Sequence, residues 1–158
     1  MEAARRAGPA DLDWLADLGR LARQELGDME RGGPLFVGRE ATPSPVLDLD
    51  DPERVVVVGT IDDVVIGYAV GRVEALRDGK RLGVVEELYV EPDARGVAVG
   101  ERMMDVLLAW FAEQRCVGVD AMALPGARAT KNFFERSGFS ARLLVMHHRL
   151  GSADDVEA

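Results

Sequence analysis

Cysteine is almost absent from this chain. Of 158 residues only Cys116 carries a thiol, so no internal disulfide can form and a reducing compartment is the simplest setting. As the start of a strand it reads as small core rather than as a nucleophile, because no His–Asx pattern accompanies it. Histidine is equally scarce. His147 and His148 are adjacent, strand alternation would send them to opposite faces, and neither has companions at metal-ligand spacing. Basic residues are outnumbered, 19 against 28 acidic, for a net charge of −9 and a pI near 4.7. That balance argues against general nucleic-acid or anionic-membrane binding, which needs a basic face. No apolar run reaches the roughly 18 residues of a membrane span, and the N-terminus lacks the apolar centre of a signal peptide. Repeats, low-complexity segments and a Gly-x-x-x-x-Gly-Lys-Ser/Thr phosphate loop are missing too. The expectation is a soluble, cytoplasmic protein.

What is present suits one globular domain. Hydrophobic residues make up 47% and charged ones 30% of a chain long enough to bury one core. We expect a single domain over residues 1–150 and an acidic, disordered tail at 151–158, rich in Asp and Glu. Ala3–Arg6 reads as a short first strand. Pro9 opens a helix to about Leu26, with Asp11 and Asp13 in its first turn, Arg20 and Arg23 near its end, and an apolar stripe of Leu12, Leu15, Leu18, Ala22 and Leu26. From Gly27 to Pro52 glycines and prolines break the pattern, leaving a long connection with room for a short helix. Arg54–Thr60 and Val64–Val73 form a hairpin around Ile61-Asp62-Asp63, with Gly67 marking a bulge or a close approach. Asp78-Gly79 turns the chain into a strand over Leu82–Val90. Val99, Met103, Val106, Leu107, Trp110 and Phe111 recur at helical spacing to about Arg115. A strand over Val117–Leu124, a helix over Ala127–Ser137 ended by Gly138, and a final strand over Phe139–Arg149 complete the order. The fold class is α+β, a mixed sheet with helices on both faces.

The most informative stretch runs from Val84 to Met104. An acid-bearing strand stops at Pro92, and a short turn with Arg95 and Gly96 then opens a long amphipathic helix. Such a turn exposes backbone N–H groups, and the helix N-terminus adds unpaired donors and the positive end of its dipole. Together they form an anion cradle suited to phosphate. Arg95 is the only charged side chain in that turn, so the backbone must do most of the binding.

Arg95-Gly-Val-Ala-Val-Gly100 resembles the pyrophosphate-binding motif of the GNAT superfamily of acyl-CoA-dependent N-acetyltransferases: Gln or Arg, two residues, Gly, one residue, then Gly or Ala. Ala98 stands where the family has its first glycine, which is tolerable if φ there stays negative. Downstream, Asn132-Phe-Phe-Glu-Arg-Ser-Gly-Phe139 resembles the family's helix end, Leu/Phe-Tyr-Glu-Lys-x-Gly-Phe. The spacing of the two motifs fits, and the similarity covers roughly Ala3 to Leu150. It implies the GNAT fold with a mostly antiparallel central sheet, acetyl-CoA as cosubstrate and no metal. Pyrophosphate would lie along Arg95, Gly96, Val97, Ala98, Val99, Gly100 and Glu101, and the pantetheine arm on the backbone of Leu88, Tyr89 and Val90. Asn132 could bond that arm, against a surface-helix role. Arg128 and Lys131 could meet CoA phosphates, though a solvated helix face suits them better.

Transfer of an acetyl group to an amine needs a neutral amine, so a base. Glu86 and Glu87 are the candidates. Adjacent strand residues point to opposite faces, so one of them at most faces a given cleft. Glu86 matches the acid that polyamine and amino-sugar-phosphate acetyltransferases of this family use. Glu87 is the other choice, and a solvated or salt-bridged strand face is the role that would make neither catalytic. The general acid is a departure: Phe134 occupies the place of the family's Tyr, and Ala127 that of its Asn. Phe134 cannot donate a proton but could wall the thioester. The reading is an N-acetyltransferase acting by direct attack in a ternary complex on a primary amine of a small molecule or protein. The acidic Asp48–Glu53 segment favours a cationic acceptor. A homodimer is compatible with it. The alternative is a non-catalytic acyl-CoA sensor or regulatory module, and a structural or toxin–antitoxin-type interaction protein is a third.

Overall fold

The valine-rich middle of the chain decides the architecture, because β-branched residues in alternation need a sheet buried on both sides. In the computed structural model, which describes residues 1–40, 44, 49–96 and 98–151, that sheet has five strands in the order of the chain. They are β1 (Glu2–Arg6), β2 (Arg54–Ile61), β3 (Val64–Ala75), β4 (Arg81–Val90) and β5 (Cys116–Ala121). The first three pairings are antiparallel, and β4 pairs β5 in parallel. The helices are α1 (Leu12–Gly27), α2 (Gly33–Arg39), α3 (Val99–Glu113) and α4 (Arg128–Arg136).

Each face of the sheet has its own core. On one, Leu15, Leu18 and Ala22 of α1 pack on Val56, Val58, Tyr68, Val70 and Tyr89. On the other, Met103, Leu107 and Phe111 of α3 and Phe134 of α4 pack on Val55, Val57, Ala69 and Val85. The helix α3 sits close because glycines make room. A Cβ on Gly83 would meet Phe111 Cδ1 at 2.6 Å. Gly83→Val should therefore displace α3 at a cost of about 1–3 kcal/mol. A thermal melt should show Tm lower by roughly 3–10 °C, and an unchanged Tm would mean that α3 is not seated against this strand.

Several expectations hold. Gly67 lies beside an irregularity, since Gly59 pairs Gly67 while Thr60 pairs Val65, leaving Ile66 as the extra residue. It is also a close approach: a Cβ there would stand 2.6 Å from the Tyr89 carbonyl. The helix α4 ends as its sequence asks. Gly138 has φ +92°, its N–H bonds Glu135 O, the Phe139 N–H bonds Phe134 O, and the rings of Phe134 and Phe139 lie 5.5 Å apart. This Gly-Phe closure gives the helix-end motif its physical reason. The short helix allowed in the long connection is α2.

Three expectations change. A turn of 3-10 helix over Pro9–Asp11 precedes α1, because the buried Asp11 carboxylate turns back to accept from the Gly8 N–H and from Arg5. The final strand over Phe139–Arg149 is not formed: residues 139–150 have no strand structure. A strand exists by pairing, and no described strand pairs with this segment. The residues Glu86 and Glu87 do not point to opposite faces, as described below. Of the expected acidic tail only Gly151 is among the described residues, and Val97 and part of the acidic stretch before Asp51 also lie outside them. Among the described residues no helix is long and apolar enough to cross a membrane.

Candidate active site

The strand β4 carries the site because its two edges are treated differently along its length. Toward β3 it is paired almost throughout, Gly67 with Val90, Tyr68 with Tyr89 and Ala69 with Leu88. Toward β5 the pairing stops at Val85, opposite Ala121. Ala121 is the last residue of β5, so the outer backbone edge of Leu88, Tyr89 and Val90 has no described strand beside it. Backbone N–H and C=O groups along such an edge are free to take an extended ligand as another strand would be taken.

The turn after β4 leads into α3. Gly96 has φ +92°, a conformation that glycine adopts without strain. Ala98 has φ −74°, so its Cβ costs nothing and the departure from glycine is harmless. Among the described residues the first bond of α3 runs from the Arg102 N–H to Ala98 O at 3.0 Å, and the N–H groups of Val99, Gly100 and Glu101 lie in the turn ahead of it. Arg95 faces elsewhere. Its guanidinium bonds Glu25 at 2.6 Å and Val90 O at 2.8 Å and lies over the Tyr89 ring at 5.4 Å. Gly100 has a packing duty as well, since a Cβ there would stand 3.2 Å from the Phe133 ring. That contact sets α4 against α3. Phe134 is buried between Phe133 and Phe139, whereas Asn132 is exposed on the other side of α4.

The acids come next. Val70 pairs Glu87 and Gly71 pairs Val85, so Glu86 is an extra residue in β4. A bulge turns two successive side chains toward one side. Glu86 and Glu87 thus share the α1 face of the sheet, which is the correction to strict alternation. They are treated very differently there. Glu86 Oε2 accepts from Arg54 Nη1 at 2.7 Å and Oε1 pairs with Arg72 Nε at 2.7 Å. It is buried and fully engaged.

Glu87 is buried as well, 6% exposed, yet neither carboxylate oxygen completes a hydrogen bond, nor does the hydroxyl of Tyr68 beside it. Burial pushes the Glu87 carboxyl up to about 7 from 4.5, and the charge of Glu86 adds to the rise. The Arg23 guanidinium of α1 and the Tyr68 hydroxyl oppose it. Burial likewise pushes the Tyr68 phenol far above its ordinary range. A carboxyl titrating near neutrality is poised to exchange a proton.

Sequence reasoning singled out both acids and the turn from Arg95 to Gly100. It missed Tyr68, Arg23, Arg54 and Arg72. Arg54 and Arg72 are directly opposite in the β2–β3 register, and two cations facing each other across a ladder need an anion between them. That pairing was a usable signal. Cys116 is half-buried, with its thiol pushed up by burial, in keeping with a packing role. Among the described residues no group of three His, Cys, Asp or Glu could hold a metal ion.

A five-stranded mixed sheet whose fourth strand runs past the end of its parallel neighbour and turns into a long helix defines a fold. Residues 23–139 match the family described as "Acetyltransferase (GNAT) family", and the chain belongs to it. No curated protein matches the sequence at a significant level. Among solved structures, the tetramutant of the BH1408 protein from Bacillus halodurans superposes with a TM-score of 0.76 at 16% identity, over 93% of this chain and 99% of that one. AAC(6')-Iy in complex with the bisubstrate analog CoA-S-monomethyl-acetylneamine superposes with a TM-score of 0.68 at 16% identity, over 95% and 98%. The ribosomal-protein-alanine N-acetyltransferase from Brucella melitensis biovar Abortus 2308 gives 0.68 at 20% identity, over 95% and 100%. At these identities the likeness is one of fold.

Proposed function

We propose that this protein transfers an acetyl group from acetyl-CoA to a primary amine, with Glu87 as the group that accepts the amine's proton. The observation that carries the proposal is the buried Glu87 carboxyl, without a hydrogen-bond partner and pushed up to about 7, next to the open Leu88–Val90 edge of β4. The cradle fits a pyrophosphate in chemistry, with Gly96 in a left-handed turn and three first-turn N–H groups ahead of the α3 ladder. The Leu88–Val90 edge would hold the pantetheine arm. Acetyl-CoA supplies an activated thioester.

The chain's own residues supply position and proton handling. An amine arrives at neutral pH as an ammonium ion, which cannot attack. Glu87 Oε takes a proton from it, directly or through a water, and the neutral nitrogen attacks the thioester carbonyl. The C–N bond forms as the C–S bond breaks, the nitrogen releases its second proton to water, and the thiolate takes a proton from solvent, since Phe134 has none to give. Thiolate is a fair leaving group, with a pKa near 8.5 for a simple thiol. Holding both reactants in register contributes further. Asp50 and Asp51 line an open pocket of about 290 Å³ beside the first turn before α1, and with the net charge of −9 they favour a cationic acceptor.

One observation favours a second reading. Phe134 is closed into the aromatic core and offers no hydroxyl, as suits an acyl-CoA sensor that does no chemistry. The two separate in one experiment. Calorimetric titration with CoA should show binding, and acetyl-CoA with a panel of diamines, aminoglycosides and lysine peptides should release free thiol with at least one acceptor. Binding without thiol release on any amine would favour the sensor. Absence of CoA binding would sink both.

A further inference from the structure

The core under α1 holds a polar group that packing does not require. Tyr68 is fully buried there, 0% exposed, and its ring lies 6.2 Å from that of Tyr89, the residue directly opposite on β4. A phenyl ring would fill the same space. The hydroxyl is an added cost, because a buried O–H without a partner gives up its bonds to water and regains none.

The register shows what that hydroxyl stands next to. Val70 pairs Glu87, so Tyr68, two residues back along β3, is the diagonal neighbour of Glu87 on the same face of the sheet. Long side chains at that spacing reach one another. The Tyr68 hydroxyl and both Glu87 carboxylate oxygens are buried, and none of the three closes a hydrogen bond. A phenol has a proton to donate and a carboxylate only lone pairs to offer, so the two are complementary. The last torsion of a glutamate is broad, and turning the carboxylate toward the hydroxyl costs little.

Other groups face Glu87 as well. The Arg23 guanidinium approaches from α1, and Glu86 lies beside it on β4. Arg23 Nη1 donates to Gly19 O at 2.6 Å, which ties that guanidinium to its own helix. Glu86 is engaged by Arg54 of β2 and Arg72 of β3. Of the groups that act on Glu87, Tyr68 is the neutral donor. It works with Arg23 and against burial, which outweighs them both.

We propose that Tyr68 is a positioning residue for Glu87, its hydroxyl donating to the carboxylate, orienting it and favouring its charged, proton-accepting form. A hydrogen bond to the charged form of an acid favours that form. The hydroxyl therefore makes the base available at a lower pH than burial alone would allow. The contact stands on register and burial, and only its effect on turnover rests on the reading of Glu87 as the base.

Tyr68→Phe removes the oxygen and keeps the ring, so the fold should be retained. Two measurements on the intact chain then separate the contact from the chemistry. Carboxyl carbon NMR, with the Glu87 signal assigned by its loss in Glu87→Gln, should show Glu87 titrating about one pH unit higher in Tyr68→Phe than in the parent. With acetyl-CoA and a responsive amine, the acid limb of kcat/KM should move upward with it. The rate should then be lower by about fivefold at pH 7 and within about twofold of the parent at pH 9. A Glu87 titration that is unmoved or lowered in Tyr68→Phe would overturn the proposal, and a rate reduced equally at both pH values would show a loss of packing instead. A titration that rises while the acid limb stays in place would uphold the Tyr68–Glu87 bond and remove Glu87 from the chemistry.

Discussion

Glu87→Gln is expected to remove most of the turnover and at the same time to stabilise the fold above neutral pH. The side chain keeps its shape and loses the ability to take a proton, so kcat/KM should fall by about 10²–10⁴-fold. Stability should move the other way because of the sign of the shift. Below pH 4.5 the Glu87 carboxyl is protonated in the folded and the unfolded chain alike, and burial costs no charge. Between 4.5 and about 7 the unfolded chain releases the proton while the fold retains it, so stability falls as pH rises. Above that range the loss is constant, up to about 3 kcal/mol for a carboxyl raised from 4.5 to about 7. Glutamine carries no such penalty. Urea titrations should therefore place the variant above the parent at pH 8, with the gap closing by pH 4.5. A variant less stable than the parent at pH 8 would mean that a partner holds the carboxylate in its charged form.

Glu86→Gln should show the opposite profile, a large loss of stability and a modest effect on chemistry. The carboxylate sits between two guanidinium groups that are directly opposite on neighbouring strands. Neutralising it leaves Arg54 and Arg72 facing each other with one carbonyl oxygen to share. Both arginines are partly exposed, 23% and 30%, so solvent softens the loss. A cost of about 2–3 kcal/mol follows. Denaturant midpoints at pH 7 should show it, and high salt should reduce the difference between variant and parent by screening the two cations. Where the variant is folded, thiol release should stay within about tenfold of the parent. A variant of unchanged stability would show that the two ion pairs contribute nothing. One that keeps its stability and loses its turnover would make Glu86 the base.

The two carboxylates show where reading the sequence succeeds and where it stops. Their presence on the strand before the turn is plain from Val84–Val90, and the turn and helix start from Arg95 to Gly100. Alternation alone assigns them to opposite faces. The extra residue in β4 is a property of the β3–β4 register, and register depends on partners remote in sequence. Two acids side by side in a valine-rich strand break the alternation, and that break is the local trace of the bulge. Helix α3 and the end of α4 are legible because periodicity and the Gly138-Phe139 closure are local. The first turn before α1 is less so, since Asp11 acts there through Arg5 of β1. The last strand fails for a simpler reason. Leu143–Leu150 has the composition of a strand, but a strand needs an edge to pair with, and composition does not supply one.

The pH dependence of kcat/KM, measured with acetyl-CoA and a responsive amine for the parent and for Glu87→Gln, tests the proposed role of Glu87 most directly. A base must be deprotonated to act, so the parent's rate should rise with pH through an acid limb centred near 7, set by the Glu87 carboxyl. In Glu87→Gln that limb should vanish and the remaining rate should simply follow deprotonation of the free amine. An identical limb near 7 in both proteins, at comparable rates, would contradict the account and place proton removal on another group.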